Sequence, residues 1–218
     1  MATRHLFDQA LEDLNEEIFR LGEMVNSQIK DAMTALDKQD LELANHVITG
    51  DLKVNELQAK IEEKCTLLIA TQQPFAKDLR KIVAYFKISI NLERMGDLAV
   101  DLAKISLRIG GEKLIKPLID LPRMAELVRE MSLQGITACK DENAEEAQAM
   151  AAKDDIVDHL YNQIFSELML LMIEDPKKIN QAAYLLFAGR HLERIGDYCT
   201  NISEEVLYVV TGKRTDLN

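Results

Sequence analysis

An all-α fold is predicted for this chain, as two tandem three-helix bundles related by internal duplication and made of six long antiparallel helices. Three observations carry that reading. Leu, Ala, Ile, Met, Glu and Lys, residues that lose little freedom in a helix, dominate the 218 residues, while aromatics make up 5% and Trp is absent. Long segments place apolar residues at three-and-four spacing, the period of a helix with one buried face. Finally, Leu92-Glu93-Arg94-Met95-Gly96-Asp97 returns one hundred residues later as Leu192-Glu193-Arg194-Ile195-Gly196-Asp197, and the echo continues with Asp101 against Asn201 and Leu102 against Ile202.

The first helix runs from about Arg4 to Leu36, with Leu6, Leu11, Leu14, Ile18, Leu21, Val25 and Ile29 as its apolar stripe. Asp37 to Asp40 reads as a tight connection. The second helix spans about Leu41 to Thr71 and stops before Pro74, which suits the first turn of a third helix reaching about Arg108. Gly110-Gly111 ends that helix and Pro117 keeps it ended. The plan then repeats. Asp120 can cap a fourth helix from about Leu121, with Pro122 in its first turn, and Asp141 can cap a fifth running to about Ile173. Asp175-Pro176 opens a sixth helix to about Val210, closed by Gly212. Two repeat units follow, 1–110 and 111–218, with short connections that make neighbouring helices antiparallel.

Composition excludes several function classes. A formal charge of −11 repels phosphate backbones, so nucleic acid is not an expected partner. The longest near-apolar run, Leu168-Met169-Leu170-Leu171-Met172-Ile173, is too short to span a bilayer, and Met1 to Glu17 lacks the layout of a signal peptide, which gives a cytoplasmic expectation. Cys65, Cys139 and Cys199 are far apart and suit buried small hydrophobes in a reducing compartment. Met131, Met150, Met169 and Met172 read as core filler. Neither a phosphate loop nor a dinucleotide fingerprint occurs.

On a helical wheel Leu92, Met95, Ala99 and Leu102 share one arc, while Glu93, Asp97 and Asp101 occupy another. The second copy repeats this, with Leu192, Ile195, Cys199 and Ile202 inward and Glu193, Asp197 and Asn201 outward. A further echo joins Asp51, Val54, Asn55, Leu57 and Ile61 to Asp154, Val157, Asp158, Leu160 and Ile164, so Asp51/Asn55 and Asp154/Asp158 flank the stripes. Like charges four apart on a helix cost about 0.2–0.5 kcal/mol per pair. Three conditions are open: solvated surface acids, acids paired with Arg94 and Arg194, or acids compensated by a bound cation. All-oxygen ligation selects hard ions such as magnesium, calcium, manganese or iron, with zinc also admissible. His5, His46, His159 and His191 are scattered, and none follows a Glu at the Glu-x-x-His spacing of carboxylate-bridged di-iron bundles. Gly96 and Gly196, each costing about 1 kcal/mol relative to Ala inside a helix, imply either a close helix contact or open space beside the carboxylates.

Asp78-Leu79-Arg80, Asn91-Leu92-Glu93-Arg94-Met95-Gly96-Asp97-Leu98-Ala99, and the second-half run from Leu192 through Asn201-Ile202-Ser203-Glu204-Glu205-Val206 to Gly212 together resemble the PhoU family of bacterial phosphate-uptake regulators. The resemblance covers nearly the whole chain. It implies a cytoplasmic, commonly dimeric, negative regulator of phosphate-starvation signalling, peripheral to the membrane through its partners: the phosphate-specific ABC transporter and the phosphate-sensing histidine kinase. It also implies metal ions or clusters on the Glu/Asp-x-x-x-Asp motifs, here Glu93, Asp97 and Asp101 with Glu193, Asp197 and Asn201, supported by Asp51, Asn55, Asp154 and Asp158. Tyr198 stands where many members carry His. The alternative class is a metal-dependent hydrolase or oxidase using the same carboxylates.

Overall fold

The computed structural model describes residues 2–217, with side chains from residue 5 onward. Met1 and Asn218, the outer limits of the two expected units, lie outside the described residues. The described chain forms α1 (Ala2–Lys38), α2 (Leu41–Gln72), α3 (Ala76–Ile109), α4 (Asp120–Lys140), α5 (Ala144–Ala151), α6 (Asp154–Glu174), a 3-10 turn (Pro176–Lys178) and α7 (Ile179–Thr211).

The apolar stripe dictates how α1 sits. Leu11, Leu14, Ile18, Leu21, Val25 and Ile29 are all buried, whereas Leu6 is exposed because Phe7, one residue further round the helix, takes the inward place at that turn. Asp40 caps α2 by accepting from the Leu43 backbone N–H at 2.9 Å. At the other end of α2, Gln73 is left-handed (φ 45°) and Phe75 is extended, so Pro74 lies before the first turn of α3 rather than within it. Clash between a proline ring and the preceding residue, which keeps that residue out of right-handed helix, accounts for the extra connecting residues.

α1, α2 and α3 form one bundle, and α4 with α5, α6 and α7 forms its echo. They share a single apolar core rather than two. The seam is made by α3 against α7 and by α1 against α4, both antiparallel. Lys87 meets Glu205 at 2.9 Å while the Arg80 side chain lies against Gly212, and Asn26 donates to the Arg129 carbonyl at 2.7 Å while Asn15 reaches that of Lys140 at 3.4 Å. Leu92, Met95, Leu102, Leu192, Ile195 and Ile202 have no solvent exposure, each contributing roughly 1.5–3 kcal/mol of burial.

The fifth predicted helix is two helices. α5 ends at Ala151 and α6 begins at Asp154, whereas its counterpart α2 runs unbroken. At the break the ladder tightens to an i→i+3 bond, Lys153 N–H to the Met150 carbonyl at 3.0 Å, and the Ser203 hydroxyl of α7 ties α5 down by donating to the Ala147 carbonyl at 2.8 Å. Two expected caps also move. Ile119 precedes α4 and Asp120 is its first residue, while Asn143, not Asp141, caps α5 by accepting from Glu146 N–H at 3.1 Å. Asp175 caps the 3-10 turn that leads into α7. The three cysteines are buried and free, with thiols raised by burial, to about 12 for Cys65 and Cys139. Met131 and Met150 are core, Met172 is half-buried, and Met169 is exposed on the outer side of α6.

Candidate functional site

Both copies of the motif bring carboxylates from two helices together, and glycine is what lets them meet. A Cβ at Gly196 would lie 2.7 Å from Asp154 Oδ1 and 3.3 Å from Val157, and one at Gly96 would lie 3.4 Å from Asp51 Oδ1 and 3.1 Å from Gln28 Oε1. The mid-helix glycines are therefore close contacts, not open space: each admits the aspartate of a neighbouring helix against the α3 or α7 backbone.

In the first copy both oxygens of that aspartate are hydrogen-bonded by amides. Asp51 accepts from Gln28 Nε2 at 3.3 Å through one oxygen and from Asn55 Nδ2 at 3.1 Å through the other. Arg94 lies between Glu93 (3.7 Å) and Asp97 (3.8 Å), and Lys104 binds Asp101 at 2.9 Å. Glu93 and Asp97 nonetheless have raised pKa values, through partial burial first and then through the charge of Asp97 on Glu93 and of Asp51 on Asp97.

The second copy is more strained electrostatically. Asp154, Asp158, Asp197 and Asn201 line an open cleft of ≈ 670 Å³ together with Gln148, Asp155, Arg194, Tyr198 and Leu217. Asp154 is raised to about 6 by burial and then by Asp197, Asp158, Glu193 and Asp155. Glu193 and Asp197 are raised by burial and by neighbouring acids, against the lowering effect of Arg190. The break before α6 partly offsets this, because it sets Asp154 in a helical first turn, where the macrodipole favours negative charge. Glu193, expected on the outward arc, is buried at 9% exposure and paired with the Arg190 side chain.

Arg94 lies within ion-pairing distance of its neighbours, one of the three conditions left open by the sequence, whereas in the second copy the partner of Glu193 is Arg190, three residues before it, and Arg194 lines the cleft. Gln28 and Arg190 are the contributors that sequence reasoning missed. Arg190 was findable from its one-turn spacing to Glu193, while Gln28 reaches the site from α1 and carried no local signal. Asp101 and Asn201 sit further along their helices, toward the α3–α7 seam, where Asn201 also borders a second groove with Lys87, Asn91 and Glu205.

The donor set fits a hard cation. Asp154 Oδ1 and Glu193 Oε2 are buried oxygens with no hydrogen-bond partner, and the acidic side chains around them, Asp158 and Asp197, offer carboxylate oxygen. Among the described residues no three His, Cys, Asp or Glu side chains are already gathered tightly enough to enclose one ion, so ligation requires rotation of exposed carboxylates such as Asp158.

Comparison with known proteins bears on the whole chain. The family model described as PhoU domain matches twice, at residues 18–106 and 121–206. The chain is 43% identical over 217 residues to a phosphate-specific transport system accessory protein PhoU homolog of Clostridium acetobutylicum, covering 99% of each, and 38% identical over 203 residues to one from Aquifex aeolicus, covering 93% of this chain and 92% of that one. Its fold matches the crystal structure of PhoU from Pseudomonas aeruginosa with a TM-score of 0.91 at 33% identity, over 95% of this chain and 100% of the other. The phosphate transport system regulatory protein PhoU of Streptococcus pneumoniae gives 0.90 at 31%, over 96% and 99%. With both motif copies in place and the likeness running end to end, this chain belongs to the PhoU family.

Proposed function

We propose that this protein is a non-enzymatic regulatory adaptor of phosphate uptake, working between a phosphate-specific ABC transporter and a phosphate-sensing histidine kinase to keep phosphate-starvation signalling off when phosphate is plentiful. The observation that carries the reading is kinship over 99% of the chain with a protein named as an accessory of the phosphate-specific transport system. The proposed setting is cytoplasmic and homodimeric, peripheral to the membrane through protein partners. Two features support it: no described helix is long and apolar enough to cross a membrane, and Leu170, Ile173 and Ile179 at the α6–α7 tip are exposed apolar side chains of the kind that dock on other proteins.

The acidic face is proposed to bind metal. Asp154, Asp158, Glu193 and Asp197, with Asn201 nearby, would hold a hard cation such as manganese, iron, magnesium or calcium, or zinc, and Asp51, Asn55, Glu93, Asp97 and Asp101 form the matching set. When bound, the ion supplies positive charge that relieves the mutual repulsion of the carboxylates. The protein's own part is to position them: Gly196 sets Asp154 against α7, and Arg190 holds one oxygen of Glu193.

Deletion of the gene in its native host tests the regulatory reading. A phosphate-starvation reporter is expected to fire at high phosphate, and a reporter that stays repressed in a strain with no second copy defeats the proposal. Phosphatase and oxidase assays on metal-loaded protein test the non-enzymatic part, where turnover lost with Asp97→Ala or Asp197→Ala would reassign the protein as an enzyme.

A further inference from the structure

The duplicated motif looks symmetrical in sequence, but the groups facing the two aspartates differ. In the first copy both oxygens of Asp51 already accept amide N–H groups, from Gln28 at 3.3 Å and Asn55 at 3.1 Å. An amide N–H aimed at a carboxylate occupies the place that a cation would take, and it does so without requiring further charge. Arg94 lies within 4 Å of both Glu93 and Asp97, and Lys104 neutralises Asp101. The acceptors left unpartnered there, Gln28 Oε1 and Asn55 Oδ1, belong to neutral amides.

In the second copy the unpartnered acceptors are Asp154 Oδ1 and Glu193 Oε2, both carboxylate oxygens. Arg190 takes the other oxygen of Glu193 and Arg194 stands near Asp197, but among the described residues no basic side chain or amide pairs with Asp154, which feels the charge of the 9% exposed Glu193 across the α6–α7 contact. Asp158 replaces the amide of Asn55, so no side-chain N–H of α6 competes for the aspartate. The cleft lined by Asp154, Asp158 and Asp197 is open, with room for an ion and its remaining water ligands. Affinity of an all-oxygen site rises with the number of charged ligands and falls when existing hydrogen bonds must break first.

We infer that the two copies are unequal cation sites: the second, built on Asp154, Asp158, Glu193 and Asp197, is the tight one, and the first is a self-satisfied counterpart whose Gln28 and Asn55 amides stand in for the ion. The inference rests on the metal-binding reading proposed above and adds an order of strength to it.

Titration of metal-free protein with Mn²⁺, followed by calorimetry and by the loss of free-ion paramagnetic resonance signal, separates the possibilities. The wild-type chain is expected to show one tight class of binding, weakened at least about tenfold by Asp154→Asn with Asp197→Asn and changed less than about twofold by Asp51→Asn with Asp97→Asn. Replacing the stand-ins, Gln28→Leu with Asn55→Asp, is expected to add a second tight class. Circular dichroism melts on each variant confirm that it is folded. Equal weakening of the tight class by the two double substitutions, or its loss with the Asp51/Asp97 pair alone, overturns the inequality while leaving the metal-binding reading standing. Absence of any Mn²⁺ uptake overturns both.

Discussion

The two copies of Leu-Glu-Arg-x-Gly-Asp use one backbone plan to reach different electrostatic states. In both, a glycine on the inner helix admits an aspartate from its neighbour, and apolar residues at matching positions are fully buried. What differs is the company of that aspartate. Asp51 is held by two amides, whereas Asp154 faces Asp158, Glu193 and Asp197 with one oxygen unpartnered. Duplication has preserved the packing that brings the helices together, while single substitutions such as Asn55 against Asp158 have changed what the contact can hold.

The packing half of that comparison is broken most severely at the glycines. Gly196→Val forces a branched side chain into a gap where even a Cβ meets Asp154 Oδ1 at 2.7 Å and Val157 at 3.3 Å. Overpacking of this kind costs about 1–3 kcal/mol, and the strained separation of α6 from α7 places this case at the upper end, about 3 kcal/mol. For a chain of this length that is roughly 6–12 °C in the thermal midpoint. Gly96→Val has somewhat more room, its nearest contact being the end of the Gln28 side chain at 3.1 Å, and is expected to lose less. Equal losses in thermal melts would mean that the two contacts are equally tight and that the asymmetry lies in charge alone.

The charge half is sharpened by a difference in sign. In metal-free protein at neutral pH, Asp51→Ala leaves the Gln28 and Asn55 amides without their acceptor and is expected to destabilise by about 1–2 kcal/mol. Asp154→Asn removes a charge that repels four neighbouring acids and has no partner on one oxygen, so it is expected to leave stability unchanged or raise it, by up to about 1 kcal/mol. Urea unfolding of the two variants reads the signs directly. Destabilisation of similar size in both would show that Asp154 is as well satisfied as Asp51.

The parts of this architecture that were legible in sequence are those set by local periodicity. The buried stripe of α1, the inward arcs of α3 and α7, and the terminations at Gly110 and Gly212 follow from helical spacing and from glycine at helix ends. The break between α5 and α6 was not legible, because no Gly or Pro marks it and the contact that holds α5 in place there, the Ser203 hydroxyl of α7 on the Ala147 carbonyl, joins residues 56 apart in sequence. Pro74 misled for a different reason: proline suits a first helical turn, but the residue before it is also pushed out of helix, and here the second effect governed the connection. At the site, spacing alone put Glu193 and Asp197 on the same side of a helix. It gave no indication that Glu193 would be buried or that Gln28 would arrive from α1, since both depend on how helices distant in sequence pack.

The smallest expected effect is a pH dependence confined to the second copy. Asp154 titrates near 6 in the folded chain against an ordinary value of 3.8, so between those limits the native state binds more protons than the unfolded one. A raised folded value means that the stabilising contribution of the protonated group is fully present below 3.8 and is lost as pH rises through about 6. Metal-free protein therefore gains stability from this residue when pH falls from 7.5 toward 4. Because the carboxyl is only half-buried, solvent screening reduces the gain to about 1 kcal/mol. Glu17 and Glu142, whose pKa values are lowered, the latter chiefly by its Lys81 hydrogen bond, pull the other way as they protonate, so the total curve mixes opposing contributions. The difference between wild type and Asp154→Asn, measured as midpoint against pH, isolates the one of interest. It is expected to close as pH falls below 6, whereas a gap that stays constant from 7.5 to 4 would place Asp154 at its ordinary value and make the two copies electrostatically alike.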